Sequence, residues 1–169
     1  MAGRALLILT LAMAMGLAPA LAKVDKLEPD PATWLRQVYD LYVEAERTGT
    51  LGTEASMTLL EDRASKSLAA LFKMNHACEK REAGGECAID FDWIVDGQDE
   101  KLSHVQVGHS TVAGDKATVT VTFINLGAHC ANTYYFVREA GAWKLDDLLV
   151  KQGKLPPNRL AKQLRAYGK

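Results

Sequence analysis

Hydrophobic residues recur at helical spacing in the first half of the chain and at every second position in much of the second half. Asp30 and Pro31 favour a helix start, because an acidic side chain can cap the first amides and proline is tolerated in the first turn. From there to Gly49 the apolar positions fall on one stripe, formed by Trp34, Leu35, Val38, Leu41, Tyr42 and Ala45. A second helical region is predicted from about Ser56 to Lys80, with an apolar stripe of Leu60, Ala64, Leu68, Leu71 and Phe72.

Alternation of apolar and polar residues predicts β-structure after residue 100. Between Lys116 and Ile124, one face carries Val119, Val121 and Phe123 and the other carries Thr118, Thr120 and Thr122. Further strands are predicted around Val105–Val107, Tyr134–Val137 and Trp143–Val150, and a short basic helix is predicted from Asn158 to Tyr167. Helices followed by antiparallel strands indicate the α+β class, with the helices covering one face of a curved sheet.

Two short motifs accompany this order of elements. The first is Asp90-Phe91-Asp92-Trp93-Ile94-Val95-Asp96-Gly97-Gln98-Asp99, and the second is Gly141-Ala142-Trp143-Lys144-Leu145-Asp146-Asp147-Leu148. With the element order they resemble the bacterial domain-of-unknown-function family 3828, which is similar to the nuclear-transport-factor-two-like and ketosteroid-isomerase-like superfamily. The resemblance covers roughly Asp30 to Val150. It implies a cone-shaped, cystatin-like roll, and it selects no activity, because relatives include isomerases, dehydratases, binding domains and interaction modules.

The first residues have the pattern of a secretory signal peptide. Arg4 supplies the positive charge, an apolar run extends from Ala5 to Leu17, and small residues stand at Ala20 and Ala22. We therefore expect cleavage of residues 1–22 before Lys23, and a periplasmic or secreted protein. The expected division of the rest is a flexible N-terminus at 23–29, an α+β roll domain at 30–152, and a C-terminal tail with a short helix at 153–169.

The net charge limits the classes of partner that we expect, and the cysteine content indicates which disulfide can form. The formal net charge of the 169 residues is −1, and no long block of like charge indicates nucleic-acid binding or a membrane-binding face. In an oxidising compartment we expect a disulfide between Cys78 and Cys87, which flank a short polar segment, with Cys130 left over. Pairing of Cys130 with one of the other two stays open. A zinc site formed by cysteines with His76 and His129 lacks the standard ligand spacing, and no metal or cofactor is predicted.

The first motif holds the densest acidic cluster of the chain. It predicts a binding surface formed by Asp90, Asp92, Trp93, Asp96, Gln98 and Asp99. The alternative is a turn whose aspartates cap backbone amides while Trp93 fixes the turn to the core. A calcium loop does not fit, because the spacing of the acidic residues misses the loop pattern in which glycine is the sixth residue.

Catalytic machinery is sparse in this sequence. No nucleophile motif or phosphate-binding glycine loop is present, and His104 and His109 are expected to face solvent. The catalytic suspects are the acids Asp92, Asp99 and Asp146. Asp146 or its neighbour Asp147 is expected to face inward or toward the Gln98–Asp99 segment, and a structural hydrogen-bonding role is favoured over catalysis for this pair.

The sequence favours a non-enzymatic interaction or ligand-binding module that acts on an unidentified envelope protein or a small ligand. An envelope-complex accessory subunit and an immunity-type protein both fit this class. The alternative is a small isomerase, dehydratase or hydrolase that uses an acid in an apolar cavity. An interior filled by the side chains of Trp34, Phe72, Phe123 and Trp143 would argue against that alternative.

Overall fold

In the computed structural model, the helices pack against an open antiparallel sheet, as the α+β class predicts. The structure describes residues 30–48, 53–82, 87–99 and 101–167, so the predicted signal peptide and flexible N-terminus lie outside the described residues. The helices are α1 Pro31–Thr48, α2 Thr53–Arg63, α3 Lys66–Arg81 and α4 Leu160–Tyr167. The strands are β1 Leu102–Val107, β2 Thr111–Ala113, β3 Lys116–Asn125, β4 Ala128–Glu139, β5 Ala142–Val150 and β6 Asn158–Arg159.

Helix α1 begins at the predicted acid and proline. The Asp30 carboxylate accepts a hydrogen bond from the Ala32 amide at 3.2 Å and is also bonded by the Ser110 hydroxyl. Burial would raise the pKa of Asp30, but the hydrogen bonds from Ser110, Ala32 and Thr33 outweigh it and lower that pKa. The helix start is therefore tied to the loop between β1 and β2.

The predicted helical region from about Ser56 to Lys80 consists of two helices, because the chain breaks between α2 and α3. The Ser65 hydroxyl caps α3 by accepting a hydrogen bond from the Leu68 amide at 3.1 Å. The Ser65 amide donates to the carbonyl of Leu145 in β5 at 2.7 Å. Serine at a cap competes with helix continuation, and the bond to β5 fixes the break against the sheet.

The sheet has the strand order β1-β3-β4-β5-β6, with β2 also paired to β3. The predicted alternation in β3 is confirmed, since Val119, Val121 and Phe123 are buried while Thr120 and Thr122 are exposed. One face of the sheet therefore carries the core, and polar residues occupy the other.

Aromatic side chains fill the space between α1 and the sheet. Trp34 meets Phe136 edge-on at 6.0 Å, and Tyr39 lies 5.5 Å from Phe123. The four side chains whose burial would argue against a catalytic cavity are all buried: Trp34, Phe72, Phe123 and Trp143 are exposed by 5% or less.

The disulfide between Cys78 and Cys87 is confirmed, and it joins the C-terminal end of α3 to the segment that leads into the first motif. Cys130 is a free, buried thiol. Among the described residues, no helix is both long and apolar enough to cross a membrane.

Candidate functional site

The predicted binding segment, called here the acidic loop (residues 90–99), lies between α3 and β1. Asp90, Gln98 and Asp99 are exposed, and Asp96 is half-buried. Asp92 and Trp93 are exposed by only 3% and 0%. Of the six predicted binding residues, these two cannot present their side chains to a partner, and they act instead on the conformation of the loop.

Asp92 anchors the acidic loop to α1. Its carboxylate accepts hydrogen bonds from the Tyr42 hydroxyl at 2.6 Å and from the Ile94 amide at 2.7 Å, and Ser56 provides a further hydrogen bond. Burial raises the pKa of Asp92, and these hydrogen bonds partly offset that rise. Burial and the adjacent carboxylate also raise the pKa of Tyr42, so its hydroxyl remains a proton donor to Asp92.

Two asparagines and a tyrosine hold the loop backbone. The Asn132 amide donates to the Ile94 carbonyl at 2.9 Å, and the same carbonyl accepts from the Tyr39 hydroxyl at 2.9 Å. The Asn125 amide donates to the carbonyls of Val95 and Asp99, each at 3.1 Å. Burial and the facing Tyr134 hydroxyl, 2.9 Å away, raise the pKa of Tyr39. These contacts preorganise the exposed side chains of the loop.

Sequence analysis missed Tyr39, Asn125 and Asn132 as determinants of the loop. A signal for the asparagines is present, because Asn125 continues the buried alternation of β3 and Asn132 falls on the core-facing positions of β4. A buried polar side chain requires hydrogen-bond partners, so amides at core-facing positions point to a segment whose backbone they hold.

The three catalytic suspects are not brought together. Asp92 is buried beneath the acidic loop, and Asp99 is exposed at its end. Asp146 accepts a hydrogen bond from the Ser65 hydroxyl at 2.7 Å, and Asp147 pairs with Arg159 at 2.6 Å and accepts from the Ala161 amide at 3.0 Å. Both acids thus have the structural hydrogen-bonding roles that the sequence favours, Asp146 at the α2–α3 break and Asp147 at the start of α4.

A groove of about 480 Å³ opens on the polar face of the sheet. We call it the sheet-face groove. Its wall and floor side chains come from β1, β3, β4 and the segment after β5, and they include His104, Gln106, Thr122, Ile124, His129 and Lys151. The expectation that His104 faces solvent is confirmed, and the structure adds that it shares this groove with His129.

A β-bulge shapes the β1 wall of the sheet-face groove. Ser103 pairs with Ile124 and Gln106 pairs with Thr122, so β1 has one more residue than β3 in this interval. His104 lies in the bulge and adopts a left-handed backbone conformation with φ of 53°. This conformation favours glycine, and residues held in it against preference cluster at functional sites.

Asp96 of the acidic loop lies near Cys130 of β4. Burial and the nearby Asp96 carboxylate raise the pKa of the Cys130 thiol, and burial raises the pKa of Asp96. Both shifts favour neutral groups, so this pair does not resemble an activated thiolate. Within the described ranges, no cluster of three or more His, Cys, Asp or Glu side chains is arranged to hold a metal ion.

Comparisons of the chain with family models, with curated proteins and with solved structures found no match. The case for a function therefore rests on the geometry of the acidic loop and the sheet-face groove.

Proposed function

We propose that this chain is an exported, non-enzymatic binding module with a nuclear-transport-factor-two-like roll, and that it binds a small ligand in the sheet-face groove. The observation that carries the proposal is that the two faces of the sheet differ. The helix-facing side of the sheet is filled by aromatic side chains, while an open groove of ligand size lies on the opposite face.

Export is supported by the pattern of residues 1–22 and is compatible with the Cys78–Cys87 disulfide. We expect the protein in the periplasmic or culture fraction with Lys23 as its first residue. Intact-mass measurement after cell fractionation tests this expectation. A chain recovered in the cytoplasm with residues 1–22 attached would contradict export.

Native mass spectrometry of protein purified from its own envelope tests ligand binding. We expect a retained small molecule in the wild-type protein and its loss in Thr122→Trp, because the large side chain would occupy the groove. Thr111→Trp in β2 is the matched control, since Thr111 is an exposed strand residue outside the groove. The absence of a bound molecule, or equal retention in both variants, would contradict binding in the groove.

The fixed conformation of the acidic loop supports a second function, recognition of an envelope protein by Asp96 and Asp99. Hydrogen bonds from Asn125 and Asn132 hold the loop backbone, so a partner would meet a preorganised surface. We expect Asp96→Asn with Asp99→Asn to abolish partner crosslinking in the envelope without changing the unfolding temperature, because asparagine removes the charge and tolerates the left-handed backbone of Asp96 (φ of 55°). Unchanged crosslinking would exclude the loop as the binding surface.

The alternative of a cavity enzyme is less well supported. A buried acid is present at Asp92, but its carboxylate is occupied by Tyr42 and the Ile94 amide. A general acid or base must reach a substrate proton, and the buried position of Asp92 beneath a packed loop does not favour such access.

A further inference from the structure

The strand register arranges the sheet-face groove as two rows of side chains. In one row, Ile124 of β3 pairs on one side with Ser103 of β1, the residue before His104. On its other side Ile124 pairs with His129 of β4. Strands lie about 4.8 Å apart, so His104 and His129 stand on strands separated by roughly 10 Å, with Ile124 between them. The groove thus has an apolar floor and an imidazole on each side.

The second row places Lys151 at the same groove. Gln106 pairs with Thr122, Thr122 pairs with Ala131, and the Ala131 amide donates to the Lys151 carbonyl at 2.9 Å. Lys151 is exposed and lines the groove, and among the described residues no acidic one lines it. Asp96 of the acidic loop is close enough to Cys130 to affect its thiol electrostatically.

These side chains favour a singly charged head group over a phosphate. Lys151 contributes one full positive charge, and the two imidazoles contribute hydrogen-bonding nitrogens. Within the ladder between β3 and β4 the pairing is continuous in this region, so these two strands form no nest of free amides for a phosphate. Ile124, Ala131 and the Thr122 methyl group offer contact to a short apolar body.

We propose that the sheet-face groove binds a small carboxylate with a short apolar body, whose head contacts Lys151 and the imidazoles of His104 and His129. This inference rests on the proposed function, and it adds the chemical class of the ligand. His104 lines the groove from the bulge, where its backbone is in the left-handed conformation.

Titration of the ¹⁵N-labelled protein with octanoate, followed by amide chemical shifts, tests the proposal. We expect saturable shifts at Thr122, Ile124, His129 and Ala131, and none of comparable size with octanol or octylamine at the same concentration. The proposal would be overturned if octanoate, at concentrations below its micelle concentration, caused no saturable change in the amide chemical shifts. Equal responses to the three probes would also overturn it, because they would show an apolar surface without charge selection.

Substitutions assign the head-group contacts. We expect Lys151→Gln to weaken octanoate binding by about tenfold, which corresponds to the loss of roughly 1.4 kcal/mol, and Lys151→Arg to retain most of the affinity. His104→Gly should also weaken binding while keeping the fold, because glycine suits the left-handed bulge position. Lys162→Gln and His109→Gln are controls, since both residues are exposed outside the groove.

Unchanged binding in Lys151→Gln and His104→Gly would place the carboxylate elsewhere and overturn the proposal. The outcome is separable from that of the proposed function. A native ligand that Thr122→Trp removes, together with failure of octanoate to bind, would leave the binding module intact and reject only the carboxylate.

Discussion

The two faces of the central strands differ in what their polar residues do. On the helix-facing side Asn125 and Asn132 are buried, and their amides hold the backbone of the acidic loop. On the opposite side Thr122 and His129 are exposed and line an open groove. Alternate residues along β3 and β4 point to opposite faces, and this alternation separates polar groups that maintain the structure from polar groups that remain free to bind. Only the second kind can be changed without a large loss of stability.

Truncation of adjacent residues in β3 gives the largest expected contrast between the faces. Phe123→Ala should lower the free energy of unfolding by about 3–5 kcal/mol, because it removes a buried ring from the aromatic core. Thr122→Ala should change it by no more than about 0.5 kcal/mol, because Thr122 is exposed. Urea unfolding of both variants measures the difference. Similar losses would show that the groove face also carries tertiary packing.

Removal of the Asp92 carboxylate should have the next largest effect. Asp92→Ala leaves the Tyr42 hydroxyl and the Ile94 amide buried without their acceptor, and each such group costs about 1–3 kcal/mol. Asp99→Ala is the matched control in the same loop, because Asp99 is exposed, and we expect it to unfold at nearly the wild-type urea concentration. If Asp92→Ala unfolded at the same urea concentration as the wild-type protein, the role of Asp92 in anchoring the acidic loop would be contradicted.

The pH dependence of stability tests the same residue. Burial raises the pKa of Asp92 above its ordinary value of 3.8, so the folded chain holds this proton more strongly than the unfolded chain. The stabilisation from protonation is full below that ordinary value and is lost as pH rises through the folded pKa. Relative to Asp92→Asn, the wild-type protein should therefore lose stability from pH 4 toward neutral pH. If the difference in urea midpoint between the wild-type protein and Asp92→Asn did not change with pH, a raised pKa of Asp92 would be contradicted.

The disulfide gives a smaller effect on the helix-facing side. Replacement of Cys78 and Cys87 by serine should lower the free energy of unfolding by about 2–3 kcal/mol, because the unfolded chain loses a short covalent loop. The amide shifts of the sheet-face groove should stay unchanged, since the groove residues come from the strands and the segment after β5. Loss of groove shifts in this variant would show that the two faces are coupled.

Local patterns were sufficient to predict much of the fold. Asp30 and Pro31 mark the start of α1, and the Val/Thr alternation between Lys116 and Ile124 identifies both faces of β3. Cys78 and Cys87 are close enough in sequence for their pairing to be predicted. The break at Ser65 was missed because the apolar stripe continues across it, and the bond that fixes the break comes from Leu145 far along the chain.

The candidate sites depended on contacts that no local pattern contains. The acidic segment was recognisable, but the burial of Asp92 requires Tyr42 from α1, which is 50 residues away in sequence. The groove requires the register that places Ile124 between β1 and His129. Spacing within a segment identifies its chemistry, whereas pairing between segments decides which side chains are exposed together.

The α2–α3 break also constrains the order of folding. The Ser65 side chain bonds to Asp146, which is 81 residues later in the chain, and Asp146 is the extra residue of a bulge between β4 and β5. Closing so long a loop is entropically costly and slows folding. We therefore expect the contact between Ser65 and Asp146 to form only after the hairpin of β4 and β5 has formed, so that docking of the start of α3 against the sheet belongs to a late kinetic step.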